Sequence, residues 1–158
     1  MHILDKIVSQ KHIEIAERKA LVPVALLEKS PYFDSPTISL AHYVRRQDKS
    51  GIIAEFKKKS PSRPAINQYA DVTSVTMGYM QAGASALSVL TDEVFFGGSS
   101  NDLTKARKYN FCPIIRKDFI IDEYQIIEAK SMGADAILLI CEILDNQQVK
   151  DLSAFAKS

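Results

Sequence analysis

Four short apolar runs constrain the fold of this chain more than any other feature: Gly51 to Phe56, Ala86 to Leu90, Pro113 to Ile115 continuing into Arg116-Lys117, and Ala136 to Ile140. Each has the length of a strand and is apolar almost without interruption, as a strand is when both of its faces are covered. The segments between them carry helix patterns and helix ends. Val72, Val75 and Tyr79 form a stripe closed by Gly83, and Asp122 opens a helix with Gln125 at capping-box spacing that Gly133 closes. Asp145 with Gln148 begins a last helix, whose apolar stripe is Val149, Leu152 and Phe155. An internal echo supports the parsing, since Gly83-Ala84-Ser85-Ala86-Leu87 and Gly133-Ala134-Asp135-Ala136-Ile137 share one helix-stop, strand-start design. Strands alternating with helices predict a parallel sheet built through right-handed crossovers, an α/β fold of four βα units.

Before the repeat, residues 3 to 20 place Leu4, Ile7, Val8, Ile15 and Ala16 along one helical stripe, the pattern of an amphipathic helix lying on a larger body. Ser30 to Pro36 is a connector by composition, and Leu40 to Arg46 predicts a short second helix. The expected division is a helical extension over 1–48 and the βα units over 49–158.

With 46% hydrophobic and 25% charged residues in 158, the chain has globular composition and enough length for one sizeable core. A formal net charge of +1 argues against generic nucleic-acid binding, and the run Lys57-Lys58-Lys59 is too short to change that. Cys112 and Cys141 sit in or beside apolar runs without metal-ligand spacing, which predicts buried free thiols in a reducing cytosol. No stretch approaches the roughly 18 to 20 apolar residues that span a bilayer, so no membrane association and a cytoplasmic location are expected. His2, His12 and His42 are scattered over helices and the terminus, which makes a metal site or a histidine triad an unpromising reading.

Four βα units suit either an open doubly wound sheet or half of an eight-stranded barrel, whose complete form takes about 250 residues. The polar groups decide between them. Glu55 and Lys57, Thr91 and Asp92, Lys117 and Asp118, and Cys141 and Glu142 all fall at or just after the carboxyl ends of strands, the face that carries barrel active sites. In Ile53-Ala54-Glu55-Phe56-Lys57, residues two apart share a face, so the row beginning at Ile53 ends in opposite charges. Lys117 shares a face with Ile115, which sets its ammonium beside apolar walls. There it suits a general acid that protonates a carbonyl oxygen, or a nucleophile that forms a Schiff base; a structural ion pair with Asp118 or Glu55 is the plainer alternative. Ser60-Pro61-Ser62-Arg63-Pro64 suits a shaped loop whose hydroxyls can hold a carboxylate or phosphate. Phe95-Phe96-Gly97-Gly98-Ser99-Ser100 offers an aromatic cover, with Ser99 also at capping distance from Asp102. No Walker or dinucleotide spacing is present.

Three ordered stretches, Ile53 to Ser62, Leu87 to Glu93 with Phe96-Gly97-Gly98-Ser99, and Pro113 to Ile120, together resemble indole-3-glycerol phosphate synthase, and the leader with Ile7 and Lys11 before Glu17-Arg18-Lys19 is similar to that family's N-terminal extension. The resemblance implies a TIM (βα)8 barrel, of which this chain holds the first half, (βα)4. It also implies ring closure with decarboxylation and dehydration of 1-(2-carboxyphenylamino)-1-deoxyribulose 5-phosphate in tryptophan biosynthesis, without a cofactor. By the same resemblance Lys117 is the general acid, Glu55 and Lys57 are its partners, and Ser60 holds substrate. Phe96, Phe119 and Leu138 would line the pocket for the anthranilate ring. The family's second acidic residue lies on its fifth strand and its phosphate loops follow strands seven and eight, so a truncated chain ending at Ser158 is expected to be nearly inactive alone.

Two other readings stay open: an aldolase-like barrel with Lys117 as Schiff-base lysine, and a half-barrel without catalytic role. On any of them, unpaired first and fourth strands predict self-association through the open edges.

Overall fold

The structure, a computed structural model, describes residues 2–158. Three helices come first: α1 (Ile3–Leu21), α2 (Val24–Leu27) and α3 (Leu40–Val44). Then strands and helices alternate as β1 (Ile53–Phe56), α4 (Val72–Gln81), β2 (Ala86–Leu90), α5 (Ser100–Tyr109), β3 (Ile114–Lys117), α6 (Glu123–Met132), β4 (Ala136–Ile137) and α7 (Asn146–Phe155).

The four strands are parallel and lie in sequence order β1-β2-β3-β4. A doubly wound sheet reverses direction within its strand order; here every crossover steps the same way, which puts the helices on one face. That face holds the main core, where Phe56, Leu87, Val89 and Ile114 meet Leu103 and Ala106 of α5 and Ala129 of α6. Burying each large side chain stabilises the fold by about 1.5–3 kcal/mol. A second cluster of Ile120, Ile126, Leu144 and Leu152 seats α7. The opposite face is covered less, leaving Ile53 41% and Leu138 37% exposed.

The predicted caps form. Asp122 with Gln125 and Asp145 with Gln148 make reciprocal capping boxes, and the Ser99 hydroxyl accepts from the Asp102 amide to start α5. Gly133 ends α6 at a φ of +88°, where a Cβ would also come within 2.6 Å of Arg107 Cγ. The short helix α2, begun at Pro23, was not foreseen.

Other differences concern edges and faces. The fourth strand is shorter than predicted, because β4 has a neighbour on only one side among the described residues and its pairing to β3 stops at Ile137. The chain turns away after Ile140, and Cys141 is consequently exposed, against the expectation of two buried thiols; Cys112 is buried and both are free. In α1 the buried row is Ile7, Lys11 and Ile15, while Ala16 is exposed. An i, i+4, i+8 ridge therefore faces the protein, with a lysine at its middle.

Candidate active site

Parallel pairing sets Glu55 beside Ser88 and Ser88 beside Ile115, with Leu90 beside Lys117 two residues on. Side chains alternate along each strand, so Glu55, Ser88 and Lys117 all project from the less covered face. Lys117 Nζ donates to Glu55 Oε2 at 2.8 Å, the Ser88 hydroxyl lies 3.3 Å from the same oxygen, and Lys57 Nζ stands 3.6 Å from Glu55 Oε1. The three candidate catalytic residues thus form one cluster around a single carboxylate. Their side chains keep about a third of their surface open, 31% for Glu55, 34% for Lys117 and 35% for Lys57. Burial pushes the Glu55 carboxyl up, but its hydrogen bond to Lys117 and the charges of Lys117 and Lys57, with Ser88, outweigh burial and hold it below the usual carboxylate range.

Phe96 and Phe119 also come together, with ring centroids 5.8 Å apart and planes inclined at 40°. Each ring is held through its backbone. Asp92 accepts from the amides of Phe95 at 2.7 Å and Phe96 at 3.0 Å, and Asp118 accepts from the Phe119 amide at 2.8 Å. The Phe96 loop folds back so closely that a Cβ on Gly98 would lie 2.2 Å from the Leu90 carbonyl oxygen. Leu138 follows Ala136 by two residues, and Ala136 pairs with Ile115, so alternation sets Leu138 on the same face as Lys117. Ser60 is engaged within its own loop, exchanging backbone hydrogen bonds with Arg63 and lying 3.2 Å from the Ser62 hydroxyl. The lysine run divides three ways: Lys57 stays at Glu55, Lys58 pairs with Asp102 at 2.8 Å, and Lys59 donates to the Val94 carbonyl at 2.9 Å.

Behind the cluster, on the helix side, lies a buried ionic network that the sequence did not reveal. Asp118 receives the Thr91 hydroxyl at 2.5 Å and stands 3.3 Å from Arg116, which also pairs with Glu128 at 2.7 Å and donates to the Gln125 carbonyl. Lys11 enters from α1, 3.1 Å from Asp118, 2.8 Å from Asp92 and 2.7 Å from Glu14. Its approach to Asp92 Oδ2 is an ion pair set off the line of a good hydrogen bond. Burial opposes the charge on Lys11, yet Asp118, Asp92 and Glu14 together hold its pKa above the usual ammonium range. The one available signal was its place midway between Ile7 and Ile15.

Among the described residues, no group of three or more His, Cys, Asp or Glu side chains is arranged to hold a metal ion, and no helix is long and apolar enough to cross a membrane. The arrangement instead offers an ammonium hydrogen-bonded to a carboxylate, a second ammonium nearby and an aromatic pair at the same strand ends. An ammonium and a carboxylate paired at the carboxyl ends of the parallel strands β3 and β1 occupy the face on which βα-barrel enzymes carry their sites.

The comparisons with known proteins narrow that class. The family model described as indole-3-glycerol phosphate synthase matches residues 4–158. A curated protein of that name from Bacteroides thetaiotaomicron is 44% identical over 96% of this chain, and one from Campylobacter jejuni is 42% identical over 98%. The chain belongs to the indole-3-glycerol phosphate synthase family, a family of TIM barrels. It spans 58% and 61% of the length of those two relatives.

Proposed function

We propose that this chain supplies the proton-donating part of an indole-3-glycerol phosphate synthase site, formed on the first four βα units of a barrel behind an N-terminal helical extension. The contact of Lys117 Nζ with Glu55 Oε2 at 2.8 Å, at the strand ends where Phe96 and Phe119 pair, is the observation that supports this reading. The substrate, 1-(2-carboxyphenylamino)-1-deoxyribulose 5-phosphate, has an aromatic acid at one end and a ketone near its middle. In the proposed step the ring carbon bearing the carboxylate attacks the ketone carbon while the Lys117 ammonium gives its proton to the ketone oxygen. Carbon dioxide then leaves, and loss of the new hydroxyl as water completes the indole.

Glu55 aims the Lys117 ammonium through their 2.8 Å contact, and Lys57 offers a positive charge to the substrate carboxylate. Phe96, Phe119 and Leu138 enclose the ring, and Ser60 offers its hydroxyl to the substrate. The reaction belongs to tryptophan synthesis in the cytoplasm. By the same family likeness, a second acid and the phosphate loops belong to further βα units, so these 158 residues by themselves are expected to bind the aromatic end and turn over very slowly.

The experiment is to incubate the purified chain with this substrate and follow indole glycerol phosphate by fluorescence, in parallel with Lys117→Met. Turnover at a full enzyme's rate would overturn the need for the further groups. Borohydride trapping of an adduct on Lys117 would replace the proton-donor reading with the Schiff-base one. The partly uncovered sheet face and the free edges of β1 and β4 also support association of two copies, which light scattering over a concentration series would test.

A further inference from the structure

Lys11 lies 3% exposed, against the carboxylates that follow the carboxyl ends of β2 and β3 rather than in the cluster around Glu55. A lysine brought out of water this far needs partners in good geometry. Its two long-range partners are Asp92 and Asp118, the carboxylates that hold the backbone of the two paired phenylalanines. Each carboxylate divides its oxygens between two tasks. Asp92 gives Oδ1 to the amides of Phe95 and Phe96 and Oδ2 to Lys11, while Asp118 gives Oδ1 to the Phe119 amide and to Lys11, and Oδ2 to Thr91 and Arg116. Without the ammonium two buried carboxylates would face each other across the same gap, and their repulsion would drive the loop after β2 away from the end of β3.

We infer that Lys11 is a positioning residue for the aromatic pocket: by bridging Asp92 and Asp118 it fixes the spacing of Phe96 and Phe119, and so ties the first helix of the chain to the fit of the substrate ring. The spacing claim rests on geometry alone; its consequence for substrate rests on the proposed function. The effect travels through the backbone amides of Phe96 and Phe119 that the two carboxylates hold, each only a few bonds from its ring.

The test uses the chain with Lys11→Met, which keeps the length of the side chain and removes its charge. Ring-to-ring nuclear Overhauser contacts between Phe96 and Phe119 and the amide proton shifts of Phe95, Phe96 and Phe119 report the spacing. Titration with 2-aminobenzoate reports the pocket. The expected result is loss of the ring contacts, movement of all three amide signals, and 2-aminobenzoate binding weaker by roughly one to two orders of magnitude, the scale for small misplacement of a binding group.

Ile15→Ala serves as the comparison, because Ile15, one turn along α1 from Lys11, packs with Leu27 of α2 and Tyr124 of α6 and its apolar side chain can bond neither aspartate. It should lower the melting temperature yet leave rings, amides and affinity unchanged. If Lys11→Met fails to fold, Lys11→Met with Asp92→Asn removes one charge of each sign and keeps an acceptor for the loop amides; the repulsion is then relieved but no cation joins the two segments, so the ring contacts should weaken. Retained ring contacts and unmoved amides in a folded variant would overturn the inference, as would equal loss of them in Ile15→Ala. If 2-aminobenzoate binds unchanged to Phe96→Ala and Phe119→Ala, the aromatic reading of the site fails, and the ring and amide signals alone then decide the role of Lys11.

Discussion

Lys117 and Asp118 are neighbours in sequence, yet they belong to two differently built regions. Lys117 projects to the less covered face of the sheet and shares one carboxylate with Lys57 and Ser88, with a third of its side chain open. Asp118 projects among the helices, where Thr91, Arg116, Lys11 and the Phe119 amide occupy its oxygens and 3% of the side chain is exposed. Strand alternation alone separates them. The difference teaches what each setting permits: few partners and access to solvent leave Lys117 free for the proton transfer proposed for it, whereas burial and full engagement fit Asp118 to hold backbone in place.

The largest expected effect breaks function on one side of the strand only. Lys117→Met should lower formation of indole glycerol phosphate by about 10²–10⁴-fold, the range for a lost general acid. Its denaturation midpoint should hardly move, and a large shift there would merge the two regions that the structure separates. Next comes Arg116→Met, which strips the buried network of the cation lying between Asp118 and Glu128. Breaking a buried pair costs about 3–5 kcal/mol. Lys11 and Arg18, which also contact those carboxylates, should bring the loss toward the lower end, measured by urea unfolding.

How much of this was legible in the sequence follows from range. Caps such as Asp122 with Gln125 are read directly because both partners lie within one turn. The Glu55 and Lys117 cluster was legible too, since alternation fixes the face and a parallel repeat brings strand ends level. Lys11 escaped because its partners lie far along the chain, and a lone lysine in an apolar row looks like a surface residue whose stem lies along the protein. Cys141 was misplaced for a related reason: burial at a strand end depends on what covers that end, and an apolar run carries no record of it.

Acid should sharpen the contrast by a smaller amount. Burial raises the Asp118 carboxyl, but Arg116, Lys11, Thr91 and the Phe119 amide outweigh it and hold its folded pKa below the ordinary range, the same direction as Glu55. For both, the unfolded chain takes up a proton first as pH falls. Their contribution to stability is therefore present above about pH 4 and is lost as pH drops through the folded values. Lys11 has the opposite sign: its contribution is complete below about pH 10 and is lost only as pH rises through its folded value in strong alkali. Unfolding free energy against pH should flatten on the acid side more in Asp118→Asn than in Glu55→Gln. The reverse order would mean that the open cluster, not the buried one, carries acid stability.

The smallest effect is the coupling within the open cluster itself. Glu55 and Lys117 make a good 2.8 Å contact, but both side chains remain about a third exposed, so solvent screens the pair and each chain gives up rotamer freedom to hold it. A double-mutant cycle with Glu55→Gln and Lys117→Met should return a coupling of roughly 0.2–1 kcal/mol, falling further in high salt. The matching cycle on Arg116 and Glu128 should return several times that value, because both partners are 5% exposed and water cannot replace either one. Equal couplings would show that exposure does not govern these pairs, and with that the distinction between a working face and a holding face would lose its physical basis.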